Sequence, residues 1–409
     1  MLVLLAWLLI GSSIFMVTFF LNVTRHAPVD QEIEDKLEHE PSVSVLMPAY
    51  NEENVVEEAI EGTLDIDYEN LSLIFVDDGS DDNTLEKAQK YVQNPKLEII
   101  EHENNQGKGE ALNTALEKAE SDYIIVQDAD SKISENLVRK AASRMEHNED
   151  IAAVIASIKP LNDRNFFQKL QKIEYTLNNF YRNLMSHADI LDVTPGAFSM
   201  YRTESVKEVG GFAEDNLTED IEMAWRLRRN GASLDMCFFE GAKTEFPGSF
   251  RALYGQRVRW ARGHIRNAWE KRDMFFNRQH GWFGLFQLPA QLTVAIFGIL
   301  GFFLVLTGLG QALYSVGVQI SATGLEIPSI ALGNFYRALL NIPAVIYTPL
   351  AAGVGLSLYQ LKLANERSDM KIRSVLSLLV YVFAFFMMKG FFWTTAVLKE
   401  LTGRKKVWT

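Results

Sequence analysis

No charged side chain occurs from Gly281 to Leu325 and none from Ala338 to Leu361, and only Lys389 interrupts the apolar stretch from Ser374 to Leu398. Uncharged runs of this length are long enough to cross a bilayer as helices. Another opens the chain: MLVLLAWLLIGSSIFMVTFFL, residues 1 to 21, is uncharged. With no basic segment before it and no A-x-A site after it, this run reads as an uncleaved anchor rather than a signal peptide. The pattern predicts an integral membrane protein. It would have an N-terminal transmembrane helix (1–22), an acidic linker (23–41), a polar domain (42–248), a basic amphipathic segment (249–280), about three C-terminal spans (281–400) and a basic tail (401–409).

The loop KLANERSDMKIRS is rich in Lys and Arg, which places it and the polar domain on the cytoplasmic side. By the same count the RKK tail would end outside, against the rule. A segment that lies on the membrane or re-enters it would remove that conflict. A formal net charge of −12 argues against nucleic acid as a partner, because phosphate backbones select basic surfaces. A single cysteine, Cys237, excludes an intramolecular disulfide and a cysteine metal site.

Within the polar domain, short apolar runs alternate with helical stretches. SVSVLM (42–47), LSLIFV (71–76), LEII (97–100), YIIV (123–126) and IAAVIAS (151–157) read as strands, with helices over 54–63, 84–92, 108–118 and 135–147 between them. Strand and helix alternating at this spacing predict an α/β fold with a mostly parallel sheet flanked by helices. Ligands of such sheets sit beyond the carboxyl ends of the strands. Those ends carry PAYNEE (48–53), DDGSDD (77–82), NNQGKG (104–109) and QDAD (127–130).

Each end suits a phosphorylated, hydroxyl-rich ligand. Asp77 and Asp78 offer acceptors to a ribose or a base edge, Tyr50 a ring for stacking, and Lys108 a cation at a helix start that already favours phosphate. Asp128 and Asp130 repel one another unless water or a cation lies between them, so the pair suggests a shared divalent metal; an ordinary turn is the alternative. The absence of GxGxxG after the first strand and of GxxxxGK[ST] anywhere disfavours a dinucleotide oxidoreductase and a P-loop ATPase.

Two later stretches add chemistry. LTEDIEMAWRLRRNG (217–231) reads as a helix with Thr218 as N-cap, Glu219 and Asp220 in its first turn and arginines in its last. That order suits the helix dipole, and a carboxylate on such a start is also a good general base. GQRVRWARGHIRNAWEKR (255–272) is a basic helix. It fits either an interfacial anchor or a site in which Arg257, Arg259 and Trp260 meet a pyrophosphate and a sugar ring.

In order, PAYNE (48–52), VDDGS (76–80), GKGEALN (107–113), DAD (128–130), TPGAFSMYR (194–202), TED (218–220) and QRVRW (256–260) give the chain its family likeness. From about residue 42 to 265 it resembles the membrane-bound processive family 2 glycosyltransferases, such as poly-N-acetylglucosamine, chitin-oligosaccharide, hyaluronan and cellulose synthases. The resemblance implies a GT-A-type domain between transmembrane helices. In it Pro48, Tyr50, Glu52, Asp77, Asp78, Lys108 and Asp128 would hold the nucleotide, and Asp130 with Asp128 a Mg²⁺ or Mn²⁺ cofactor. Asp220, with Glu219 beside it, would be catalytic. Gly196, Gln256, Arg257, Arg259 and Trp260 would shape the acceptor and diphosphate end. It further implies a UDP-sugar donor, by analogy UDP-N-acetylglucosamine, inversion at the anomeric carbon, and a growing polysaccharide as acceptor. Membrane lipids and an accessory synthase subunit would be further partners.

Lys389, Gln287, Gln291, Trp282 and Trp393 are candidates to line an exit path for polymer, with a helix–helix contact as the alternative for Lys389. A cellulose-synthase-type FxVT motif is absent after QRVRW. Transfer of one sugar to a membrane lipid, as by ceramide glucosyltransferases, uses the same motifs and is the alternative activity. A catalytically silent sugar-binding component is disfavoured by the intact Asp128, Asp130, Asp220 and Trp260.

Overall fold

The computed structural model describes residues 39–323 and 344–403 other than 373, together with the isolated positions 19, 23 and 37. The expected anchor at 1–22, most of the acidic linker, the stretch 324–343 and the end of the basic tail lie outside the described residues.

Four of the expected strands form one half of an eight-stranded sheet: β1 (Val43–Ala49), β2 (Leu71–Asp77), β3 (Leu97–Glu101) and β4 (Tyr123–Val126), all parallel in the order β3-β2-β1-β4. The other half is mixed. β5 (Lys132–Ile133), β6 (Ile151–Pro160), β7 (Ser199–Arg202) and β8 (Ser233–Thr244) complete the order as β4-β7-β6-β8-β5, with β7 antiparallel to both its neighbours.

Side chains alternate across this sheet with period two, as pleating requires. Val45, Phe75 and Ile125 enter one core with Ile60 and Ala59 of α1 (Val56–Leu64) and Val138 and Ala141 of α4 (Leu137–His147); between these helices in sequence lie α2 (Thr84–Gln89) and α3 (Lys108–Lys118). Leu46, Ile74, Val76 and Ile124 enter the other core, with Leu112 and Ala115 of α3. Both faces are therefore dry, which explains why β1, β2 and β4 are near-continuous apolar runs.

Beyond the sheet, α5 (Phe166–His187) starts at a capping box in which Asn165 and Gln168 satisfy each other's backbone N–H groups. It is followed by α6 (Thr203–Glu208), α7 (Glu219–Arg229) and α8 (Phe250–Glu270). Trp225 of α7 is wholly buried in the second core. The apolar C-terminal part comprises α9 (Leu288–Thr323), α10 (Ala344–Arg367), α11 (Val375–Val380) and α12 (Phe386–Leu401). Among the described residues one helix, Phe283–Ala322, is long and apolar enough to cross a membrane. Leu361 and Ala364 of α10 pack with Ile173, Leu177 and Phe180 of α5, and Phe392 and Ala396 of α12 pack with Leu253, Val258 and Ala261 of α8.

Candidate active site

The register of the central strands sets Ala49 beside Asp77 and Leu46 beside Val126, so PAYNEE, DDGS and QDAD leave the sheet at one edge. The two aspartates of DDGS then diverge. Asp77 is buried; its Oδ2 accepts from Ser80 N at 3.0 Å, while its Oδ1 has no hydrogen-bond partner. A buried acceptor left open in this way suits a donor from a ligand. Asp78 turns inward: its oxygens accept from Gln106 N at 2.9 Å and Gly107 N at 2.8 Å, and His102 Nδ1 lies 2.8 Å away. It thereby ties the end of β2 to the loop that starts α3. Gly79 makes the turn possible at φ +68, where an added Cβ would lie 2.5 Å from the Asn104 carbonyl carbon.

Across the edge, Pro48 is half-buried in β1, and the exposed Tyr50 directs its hydroxyl to Asp81 Oδ2 at 3.5 Å. The Glu52 backbone N–H donates to Thr84 Oγ1 at 2.8 Å. Burial, then the carboxylates of Asp130, Asp128 and Asp82, push the Glu52 carboxyl up to about 7.

The centre is a lysine held by two acids. Lys108 Nζ, in the first turn of α3, stands 2.6 Å from Asp128 Oδ1 and 2.8 Å from Glu219 Oε1. Gly196 passes so close that an added Cβ would lie 2.5 Å from that Nζ and 2.8 Å from both Asp128 oxygens, while its carbonyl accepts from Asp128 N at 2.9 Å. Burial would raise the Glu219 carboxyl, but the Lys108 ammonium beside it holds it below the usual range. Its neighbour Asp220 goes the other way: burial and the Glu219 charge push it up to about 6. Thr194 Oγ1 donates to the Asp220 carbonyl at 2.7 Å, tying the TPGAFSMYR loop to the start of α7.

Asp130 stands apart from Lys108. Its carboxylate accepts from Ser131 Oγ at 2.9 Å and from Thr244 Oγ1 at 3.2 Å, and burial followed by Asp128 pushes it up to about 6. Glu52, Asp128 and Asp130 thus repel one another, with Lys108 compensating mainly Asp128. Hard oxygen donors with uncompensated charge fit Mg²⁺ or Mn²⁺, which take one or two carboxylates and complete their shells with phosphate and water. Among the described residues no three His, Cys, Asp or Glu side chains form a metal-ligating group.

QRVRW lies on α8. Arg259 Nη1 donates to Leu217 O at 2.9 Å, just before α7, and the Arg257 guanidinium lies 4.1 Å from the Trp260 ring centroid. Gln256 Oε1 is buried without a partner. One expectation needs correction. Thr218 occupies the N-cap position, but its side chain makes no capping bond; its hydroxyl faces Asn216 and Asn267 instead. On α8, Arg257 pairs with Glu174 and both Arg262 and Arg266 pair with Glu400.

Of the polar and aromatic residues considered for an exit path, Lys389 pairs with Glu174, Gln291 donates to Asp192, Trp393 meets the His264 ring and Trp282 is exposed. Sequence reading missed Thr244, Ser131, His102 and Glu174. None belongs to a motif; Thr244, His102 and Glu174 acquire their partners only through folding, whereas Ser131 bonds its neighbour Asp130.

A sequence profile described as glycosyl transferase family 2 matches residues 44–210, from β1 through α6. Poly-beta-1,6-N-acetyl-D-glucosamine synthase of Staphylococcus aureus is 28% identical over 62% of this chain and 61% of its own length, and that of Staphylococcus epidermidis is 27% identical over 58% and 59%. The chain therefore spans less than two thirds of these curated relatives in the match. A mannosyltransferase from Pyrobaculum calidifontis, solved with GDP-Man and Mn²⁺, superimposes with a TM-score of 0.61 over 88% of this chain and 99% of that one, at 20% identity. At that identity the likeness concerns the GT-A-like fold. With these matches and the sheet described above, residues 44–210, from β1 through α6, form a glycosyl transferase family 2 domain.

Proposed function

We propose that the protein moves a sugar from UDP-N-acetylglucosamine to the end of a growing β-linked polysaccharide at the cytoplasmic face of a membrane, with inversion and with export coupled to growth. The observation that carries this reading is the start of α7. There Asp220, its carboxyl pushed up to about 6, adjoins Glu219, whose charge is absorbed by Lys108. A general base needs a pKa near the working pH and an acceptor-facing position, and Asp220 combines the first with a place beside the Lys108–Asp128 pair. The donor and the polymer are supported by the two staphylococcal relatives, and the membrane by the apolar helix Phe283–Ala322.

In this reading the open Oδ1 of Asp77 takes a donor of the uracil ring, Tyr50 stacks on its face, and Pro48 and Glu52 border it. Gly196 leaves room for the sugar beside Asp128. A Mg²⁺ or Mn²⁺ bound at Asp130 with Asp128 would offset the charge of the diphosphate. Lys108, pre-paired with Asp128 and Glu219, turns toward the phosphates on binding. Asp220 withdraws the proton from the acceptor hydroxyl as that oxygen attacks the anomeric carbon from the face opposite UDP; the C–O bond to UDP breaks and UDP departs with the electron pair. Gln256, Arg257, Arg259 and Trp260 seat the acceptor end and the diphosphate.

The test is incubation of membranes holding the full chain with labelled UDP-N-acetylglucosamine and Mn²⁺, followed by sizing of the product. A ladder or polymer cleaved by a β-N-acetylglucosaminidase is expected. A single sugar on an extractable lipid would replace the synthase by a lipid glycosyltransferase, and incorporation from a different UDP-sugar only would replace the donor.

A further inference from the structure

The one charge in the last apolar stretch, Lys389, reaches across from α12 to α5, where its Nζ lies 3.1 Å from Glu174 Oε1. Glu174 is only 4% exposed, and its second oxygen accepts from Arg257 Nη2 at 2.7 Å. Arg257 is itself buried, with its guanidinium 4.1 Å from the Trp260 ring and 5.8 Å from the Tyr175 ring. Its Nε and Nη1 make no hydrogen bond. One carboxylate thus serves two cations from two different helices, and the nearer cation to Trp260 keeps two unspent donors. A buried Arg–Glu pair on its own would be closed and neutral, with little left to offer a ligand. A third charge changes that balance.

We infer that Lys389 and Glu174 are positioning residues for Arg257: Lys389 shares the Glu174 carboxylate, so Arg257 is held over Trp260 while retaining net positive charge for the anionic or hydroxyl-rich end of the site. The apolar helix α12 is then required for transfer itself, because it supplies the charge that tunes a side chain of the QRVRW segment. This rests on the reading above that Arg257 and Trp260 border acceptor and diphosphate. It also explains why a lysine stands in the otherwise uncharged stretch from Ser374 to Leu398, where an unpaired charge is costly.

The experiment uses the purified full chain in lipid nanodiscs, with transfer from labelled UDP-N-acetylglucosamine and UDP binding measured in parallel. Lys389→Met should lower kcat/KM by about tenfold or more, the scale of coupling between groups in one network. Lys389→Arg should recover most of the rate. Glu174→Gln, which keeps an acceptor but removes its charge, should lower kcat/KM as well and serves if K389M is poorly folded. In the Arg257→Ala background K389M should cost little further, since its effect passes through Arg257. Full activity of a folded K389M, an equal loss in both backgrounds, or no recovery with K389R would each overturn the inference while leaving the proposed function standing. A wild-type chain that binds UDP but transfers no sugar from any UDP-sugar would overturn that function, and this inference with it.

Discussion

At the level of single residues, two neighbouring acids are driven apart by their surroundings. Glu219 stays ionised because Lys108 absorbs its charge, whereas Asp220 keeps a pKa of about 6 because burial and Glu219 both disfavour its ionised form. A base works only when ionised, so the transfer rate should be flat above about pH 7 and fall as pH drops through about 6; a pH–rate profile between about pH 5 and 8 reads this directly. Asp220→Asn should cut transfer by about 10²- to 10⁴-fold with UDP binding nearly intact, because loss of a base affects the transition state more than the ground state. Near-wild-type turnover in that variant would remove Asp220 from the mechanism. Gly196→Ala places a methyl 2.5 Å from the Lys108 ammonium and 2.8 Å from the Asp128 carboxylate, so these side-chain ends must shift. Weakened UDP-sugar binding in a chain that still unfolds cooperatively is the expected result. On the proposed metal site, UDP titrations with and without a chelator should differ for the native chain and coincide for Asp130→Ala.

Among the elements, the connection from β2 to α3 is the one most dependent on a single side chain. Asp78 accepts two backbone N–H groups from the Gln106–Gly107 turn and meets His102, so it shapes the loop that presents Lys108. Asp78→Ala would strip those part-buried donors of their acceptor, at a cost of about 1 kcal/mol. A lowered unfolding temperature together with a raised Kd for UDP is expected, and a loss of UDP affinity without loss of stability would show that Asp78 meets the nucleotide itself. The motif alone does not distinguish these roles, since both aspartates of DDGS have the same chemistry. Only the fold, which fills the oxygens of Asp78 from the Gln106–Gly107 turn and leaves Oδ1 of Asp77 open, separates them.

For the molecule as a whole, the apolar helices α10 and α12 pack on α5, within the family 2 match, and on α8, beyond it. Phe392 is 2% exposed in the cluster that joins α12 to α8. Phe392→Ala should destabilise that junction by about 3 kcal/mol, with earlier proteolysis within α12 and a fall in transfer as the observable results. The four parallel strands themselves, the positions of α3, α4 and α7, and the edge where the motifs gather were legible in the sequence because they rest on local periodicity and strand-end chemistry; the order of the strands was not. The short strands β5 and β7, the irregular β8 and the helix α5 were not read from it; β5 and β7 are too brief to show a period, and β8 is interrupted where its register to β6 shifts beyond Cys237. The sequence by itself determined the membrane-like hydropathy, the α/β alternation and the ordered motifs, all written in residues close along the chain. The tertiary structure alone decided that Lys108 is held between Asp128 and Glu219, that Thr244 meets Asp130, and that Lys389 reaches Arg257 through Glu174. Those partners lie far apart in sequence, and burial and electrostatic pairing act across space, so no local pattern encodes them.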